Sequence, residues 1–162
     1  MPIEIERKFL LREIPDDRDL RSCGVRALEI EQWYLKVTDE LQERIRRTST
    51  DSETVYHHTY LMPHKPGVRE VQEETITRDE YDLLRSACDP RRVKITKRRL
   101  RFIYQSQTFE LDIILSPPSR ACIILELELQ SEDQRIMLPH FVRVIREATG
   151  ETAFTNADIA LG

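Results

Sequence analysis

The chain has 162 residues, a length that suits one domain spanning 1–162 around a single buried core. Charged residues make up 33% of it, yet the net charge is only −4, which argues against a surface that coats nucleic acid. No apolar run approaches membrane-span length and the chain opens directly into a strand pattern, so neither a membrane partner nor a signal peptide is expected.

In chain order, Glu4-Ile5-Glu6-Arg7-Lys8 opens a strand that places Glu4, Glu6 and Lys8 on one side. A short helix is predicted around Asp16 to Ser22. Ala27 to Val37 is aromatic and β-branched enough for a strand, and Glu43 to Arg47 sets Arg44 and Arg46 on one face. Glu53 to Leu61 and Val68 to Ile76 are further strands, the second following the turn signal Pro66-Gly67. Thr77 to Glu80 fits a capping box that starts a helix ending before Asp89-Pro90. Three more strands follow: Lys97, Arg99 and Arg101 share a face of the first, Glu110 and Asp112 of the second, and Glu126 and Glu128 of the third. A last helix is predicted over about Pro139 to Ala148, with Pro139 in its first turn and Gly150 beyond its end.

The fold class expected is α+β, mainly antiparallel β. Charged residues recur at i and i+2, strand by strand, and each strand tends towards one sign. Two architectures answer to that pattern. One is a solvated sheet face laced with ion pairs, each contributing about 0.2–1 kcal/mol. The other closes the sheet into a barrel of about eight strands with the charges inside, wide enough for one small ligand and covered by a few helices. Only closure accounts for the sorting of signs.

The proposed wall carries Lys8, Arg44, Arg46, Lys97 and Arg99 against Glu4, Glu6, Glu110, Asp112, Glu126 and Glu128. Confined carboxylates raise one another's pKa unless cations compensate them. Hard divalent ions such as Mg²⁺ take oxygen ligands and phosphates, which would leave the bases free for a polyanion. Arg forks suit phosphate oxygens, and a linear triphosphate has the required size and charge. With four glycines and neither a GxGxxG nor a GxxxxGK[ST] motif, side chains would have to hold the phosphates. Cys23, Cys88 and Cys122 share no metal-ligand spacing and read as free thiols of a reducing cytoplasm.

Glu4-Ile5-Glu6-Arg7-Lys8 resembles the ExExK signature of the CYTH superfamily, the triphosphate tunnel metalloenzymes. Arg44-Ile45-Arg46, the Lys97–Arg99 strand, Phe109-Glu110-Leu111-Asp112 and Leu125 to Leu129 match its later strands in order. "VIREATG" and "FTNADIA" are similar to its closing helix and tail. The resemblance implies an eight-stranded closed tunnel and Mg²⁺- or Mn²⁺-dependent hydrolysis of a small triphosphate, most simply inorganic tripolyphosphate, by a monomer or homodimer. It also implies that Glu4, Glu6, Asp112, Glu126 and Glu128 hold metal and that Lys8, Arg44, Arg46, Lys97 and Arg99 clamp phosphates. Glu6, Glu110 and Asp112 would prepare the attacking water. Adenylate cyclisation, thiamine or nucleoside triphosphate hydrolysis, and non-catalytic polyphosphate binding are the alternatives.

Two positions depart from the family pattern. Leu61 stands where a T-x-K lysine is usual, with Lys65 as the nearest replacement, and Val71 stands where a Glu is frequent two residues before Glu73. Glu70 and Glu74 are the alternatives to Glu73 if the register of that strand differs. His57 and His58 are adjacent and so face opposite sides of a strand, which gives no zinc pattern. Trp33 and Tyr34 read as packing residues, with stacking on a substrate base as the sharper role. Arg101 continues the basic face towards the tunnel mouth, while Glu29 and Glu31 read as solvated edge acids.

Overall fold

The computed structural model of the chain describes residues 2–162. The period-two segments form β1 (Ile3–Leu11), β2 (Arg26–Val37), β3 (Gln42–Ser49), β4 (Thr54–Lys65), β5 (Val68–Ile76), β6 (Ile95–Tyr104), β7 (Gln107–Ser116) and β8 (Cys122–Leu129). They pair antiparallel in the order β5-β4-β3-β2-β6-β7-β8-β1. β1 then meets β5 through Ile3↔Glu70, Glu4↔Arg69 and Ile5↔Val68, so the eight strands close into a barrel. Closure decides between the two sheet readings in favour of a charged interior, because it turns one face of every strand away from solvent.

Gly67 makes this closure possible. Its carbonyl accepts a hydrogen bond from the Glu6 N–H at 2.8 Å, and a Cβ there would lie 2.6 Å from the Glu6 carbonyl oxygen. With φ at +77° the position suits glycine twice over, by space and by backbone.

The helix predicted over Pro139 to Ala148 does not form. Val144–Glu147 is instead a ninth strand, β9, paired with β1 at Leu10↔Arg146 and Phe9↔Glu147. The reason lies in β1, which β5 covers only over Ile3 to Ile5. Backbone groups further along need partners, and the β-branched pair Val144-Ile145 suits an edge strand better than a helix.

Among the described residues three α-helices accompany the barrel: α1 (Asp17–Ser22), α2 (Arg78–Arg85) and α3 (Asn156–Ile159). The capping box at α2 is present, with Thr77 Oγ1 accepting from Glu80 N and the Glu80 carboxylate from Thr77 N. Buried Tyr81 seats this helix, donating its hydroxyl to Glu31 at 3.1 Å. On the outside of β6, β7, β8 and β1, Phe9, Leu100, Phe102, Phe109, Leu111 and Leu125 form the main core with Leu20 of α1 and Val142. A second core lies inside. Leu10, Tyr34, Ile95, Ile114 and Ile124 share parity with the charged residues of their strands and pack against Ala157, Ile159 and Ala160. α3 thereby gives the charged cavity an apolar floor.

Among the described residues no helix is long and apolar enough to cross a membrane.

Candidate active site

The barrel encloses a cavity of about 670 Å³, within the range of small-molecule sites. Glu4, Glu6, Lys8, Arg44, Arg46, Lys97, Arg99, Glu110, Glu126 and Glu128 all line it. Register explains how they meet. Glu6 lies opposite Glu128, Lys8 opposite Glu126, and Glu110 opposite Glu126. On the other side Arg99 lies opposite Asp112 and Arg101 opposite Glu110. β7, β8 and β1 therefore form a mostly acidic wall, with basic β6 beside it and Arg44 and Arg46 of β3 four strands away from β8 around the barrel.

Asp112 sits behind the cavity rather than on it, 1% exposed, with both oxygens occupied. Arg99 donates Nε to Oδ1 at 2.7 Å and Nη2 to Oδ2 at 2.8 Å, and Lys97 Nζ reaches Oδ2 at 2.7 Å. Although burial alone would raise it, Arg99 and Lys97 hold the Asp112 carboxyl well below the usual carboxylate range. Lys97 is fully buried and also donates to Asn156 Oδ1 of α3 at 3.0 Å. Its burial, with Arg99 and Arg46 close by, pulls the ammonium down to about 7 against the attraction of Asp112. Glu110 accepts from Arg99 Nη1 at 2.9 Å and from Arg101 Nη2 at 2.7 Å. Against burial, these two arginines keep its pKa low.

Arg44 and Arg46 stand apart from this network. The carboxamide of Gln32 accepts from Arg46 Nε at 3.0 Å and Nη2 at 2.6 Å, and Gln32 is itself held by the Tyr34 hydroxyl. Burial first, then Arg44 and Arg99, bring the Arg46 guanidinium down to about 9. Arg44 is 6% exposed and its Nε–H is buried without a hydrogen-bond partner. Among the described residues neither arginine forms a salt bridge with a carboxylate. A buried guanidinium and a half-buried one side by side with no anionic partner are costly alone and are stabilised by a bound anion.

The acidic wall has the opposite need. Burial and then Glu126 raise the Glu6 pKa, and burial with Glu4 and Glu110 raises that of Glu128. Carboxylates directly opposite each other repel unless a cation lies between them. Their hard oxygen donors fit Mg²⁺ or Mn²⁺. Among the described residues no three of these groups already converge as a metal-binding cluster.

Arg69 was missed from the sequence. It enters the cavity opposite Glu4, with Nε and Nη2 at 3.1 and 3.0 Å from Glu4 Oε2. The signal was its alternation with Val71 and Glu73, overshadowed by the acids of that strand. The register there puts Arg69, Val71 and Glu73 on the cavity and places Glu70 and Glu74 on the opposite face. Glu73 accepts from Thr59 Oγ1 at 2.8 Å. Leu61 is paired directly with Val71, so both departures from the family pattern face each other across one rung. Lys65 lines the cavity at its exposed end, where its Nζ is 2.7 Å from Glu132.

Of the remaining candidates, Arg101 lines the cavity while Trp33 lies outside it, under Arg85 and Lys94. Tyr34 lines the floor. His58 faces Glu43 at 2.8 Å on the outer surface of β4.

No protein-family model and no curated protein sequence matches the chain. Solved structures do. The crystal structure of the inorganic triphosphatase NE1496 aligns with TM-score 0.62 and 28% identity over 100% of this chain and 97% of that one. A second structure of NE1496 aligns with TM-score 0.64 at 28% identity over 98% of both chains. PH1012 from Pyrococcus horikoshii shares the fold, with TM-score 0.58 and 20% identity over 80% of each chain.

Proposed function

We propose that this chain, whose fold, signature order and structural neighbours are consistent with the CYTH superfamily, hydrolyses inorganic tripolyphosphate to pyrophosphate and phosphate with Mg²⁺ or Mn²⁺. The observation that carries this reading is the pair Arg44, buried, and Arg46, half-buried, which among the described residues pair with no carboxylate and line a cavity with an acidic wall. The likeness to an inorganic triphosphatase over nearly the whole of both chains supports the small substrate.

Arg44 and Arg46, with Lys8 and Lys97, bind and orient the phosphate chain. Asp112 acts one step back, holding the Arg99 guanidinium and the Lys97 ammonium beside the cavity that both line. Glu4, Glu6, Glu126 and Glu128 would hold the metal, which supplies charge neutralisation and a more acidic water when bound. In this reading the Glu6 carboxylate takes the proton of the attacking water. The apolar floor of Leu10, Ile114 and Ile124 excludes solvent from the end nearest Lys97.

Phosphate release from tripolyphosphate, ATP, thiamine triphosphate and pyrophosphate, each with Mg²⁺, Mn²⁺ or chelator, tests the proposal. Release from tripolyphosphate with metal, abolished in a folded Glu6→Gln variant, is the expected result. No release with either metal defeats it. The Leu61–Val71 rung favours one second reading, a binding protein lacking turnover. Tight calorimetric binding of tripolyphosphate without any product distinguishes that case.

A further inference from the structure

Glu4 and Glu6 would be expected to await a metal ion, yet in this fold they already hold a cation. Arg69 is directly opposite Glu4 on the closing pair of strands, so backbone register places it there. Its Nε and Nη2 both donate to Glu4 Oε2, at 3.1 and 3.0 Å, and Nη2 lies 3.9 Å from Glu6 Oε2. On the inward faces of β4 and β5 Arg69 pairs with Pro63, and the next two rungs are Leu61 with Val71 and Thr59 with Glu73. Lys65 of β4 also lines the cavity, but its Nζ is paired with Glu132 at 2.7 Å, so among the described residues Arg69 is the cation of that wall that contacts Glu4 and Glu6. The lysine that family members carry at the Leu61 position is missing, and so is its neighbouring acid at Val71.

We propose that Arg69 is the resident counter-ion of the Glu4–Glu6 pair, that a divalent metal enters by displacing its guanidinium, and that the freed group then takes a phosphate oxygen. This inference rests on the triphosphatase reading above. A guanidinium fork and a dication cannot share one carboxylate oxygen without strong repulsion, so their occupancies exclude each other. Without Arg69, the free protein would bring Glu4 and Glu6 together beside Glu128 with no cation in ion-pair contact with them among the described residues. With it, metal entry and delivery of a phosphate-binding cation become one event. Metal and triphosphate then bind with positive coupling.

Manganese titration of the full chain by electron paramagnetic resonance, without substrate, tests the displacement. Arg69→Gln is expected to bind Mn²⁺ about tenfold more tightly than wild type, the equivalent of one charge-assisted contact no longer competing. Equal or weaker binding by a folded Arg69→Gln overturns the proposal, as does failure of both proteins to bind. Should Arg69→Gln not fold, Arg69→Lys keeps the charge but loses the fork, and Mn²⁺ affinity should still rise by about threefold. No rise overturns it. The two readings fail separately. Absent phosphate release with tighter Mn²⁺ binding by Arg69→Gln sinks the hydrolase alone, whereas release with unchanged Mn²⁺ affinity sinks the counter-ion role alone.

Discussion

Replacing Arg44 by glutamine should make the free protein more stable while weakening its hold on a triphosphate. Arg44 is buried, its Nε–H has no acceptor, and Arg46 lies on the same face two residues away. A buried polar group left without a partner costs about 1–3 kcal/mol, more if charged, so relief of about 2 kcal/mol is a reasonable central value. In a chain of this length that raises the melting temperature by about 4–8 °C. The same substitution removes a charge-assisted contact to phosphate and weakens tripolyphosphate binding by about 10- to 150-fold. Thermal melts with and without ligand read both effects. At a concentration 100 times the wild-type Kd, wild type gains about 2.7 kcal/mol, whereas a variant bound about 30-fold more weakly gains about 0.9 kcal/mol. The two melting curves, separate without ligand, should therefore converge. A lower melting temperature for ligand-free Arg44→Gln would show Arg44 to be a structural residue. An undiminished ligand shift would remove it from the binding site.

Asp112→Asn should lower stability by about 3–5 kcal/mol in urea denaturation, because Lys97 and Arg99 would lose their buried counter-charge. A loss below about 1 kcal/mol would mean that solvent or a neighbour already screens them. Tripolyphosphate binding to metal-free protein should be accompanied by proton uptake at pH 8. Lys97, held down to about 7, is largely neutral in the free protein and regains its proton beside an anion. Calorimetry in two buffers of different ionisation enthalpy measures this, and proton release or no exchange would contradict it. The same sign makes binding weaken as pH rises from about 7 to 9. Leu61→Lys alone should destabilise, since it faces Val71, while Leu61→Lys with Val71→Glu restores an opposite pair and tightens triphosphate binding about tenfold. A double variant no tighter than wild type would show that Arg69 already supplies the missing cation.

What the sequence determined is the side on which each charge falls. Alternation is local, so Glu4, Glu6 and Lys8, Arg44 and Arg46, or Glu126 and Glu128 had to share faces once their segments became strands. The α2 start was equally legible, because a capping box lies within four residues. Which charge meets which was not legible, since partners are set by register between distant strands. Arg69 reaches Glu4 across 65 positions because β1 pairs with β5, and Leu61 meets Val71 because of the register of β4 on β5. Asp112 reads from the sequence like any carboxylate on the acidic wall, and only closure of the barrel reveals that Lys97 and Arg99 occupy both its oxygens. The segment Val144–Glu147 became a strand for a similar reason: the unpaired stretch of β1 beside it, invisible in the local pattern, supplied hydrogen-bond partners that a helix would have left unused.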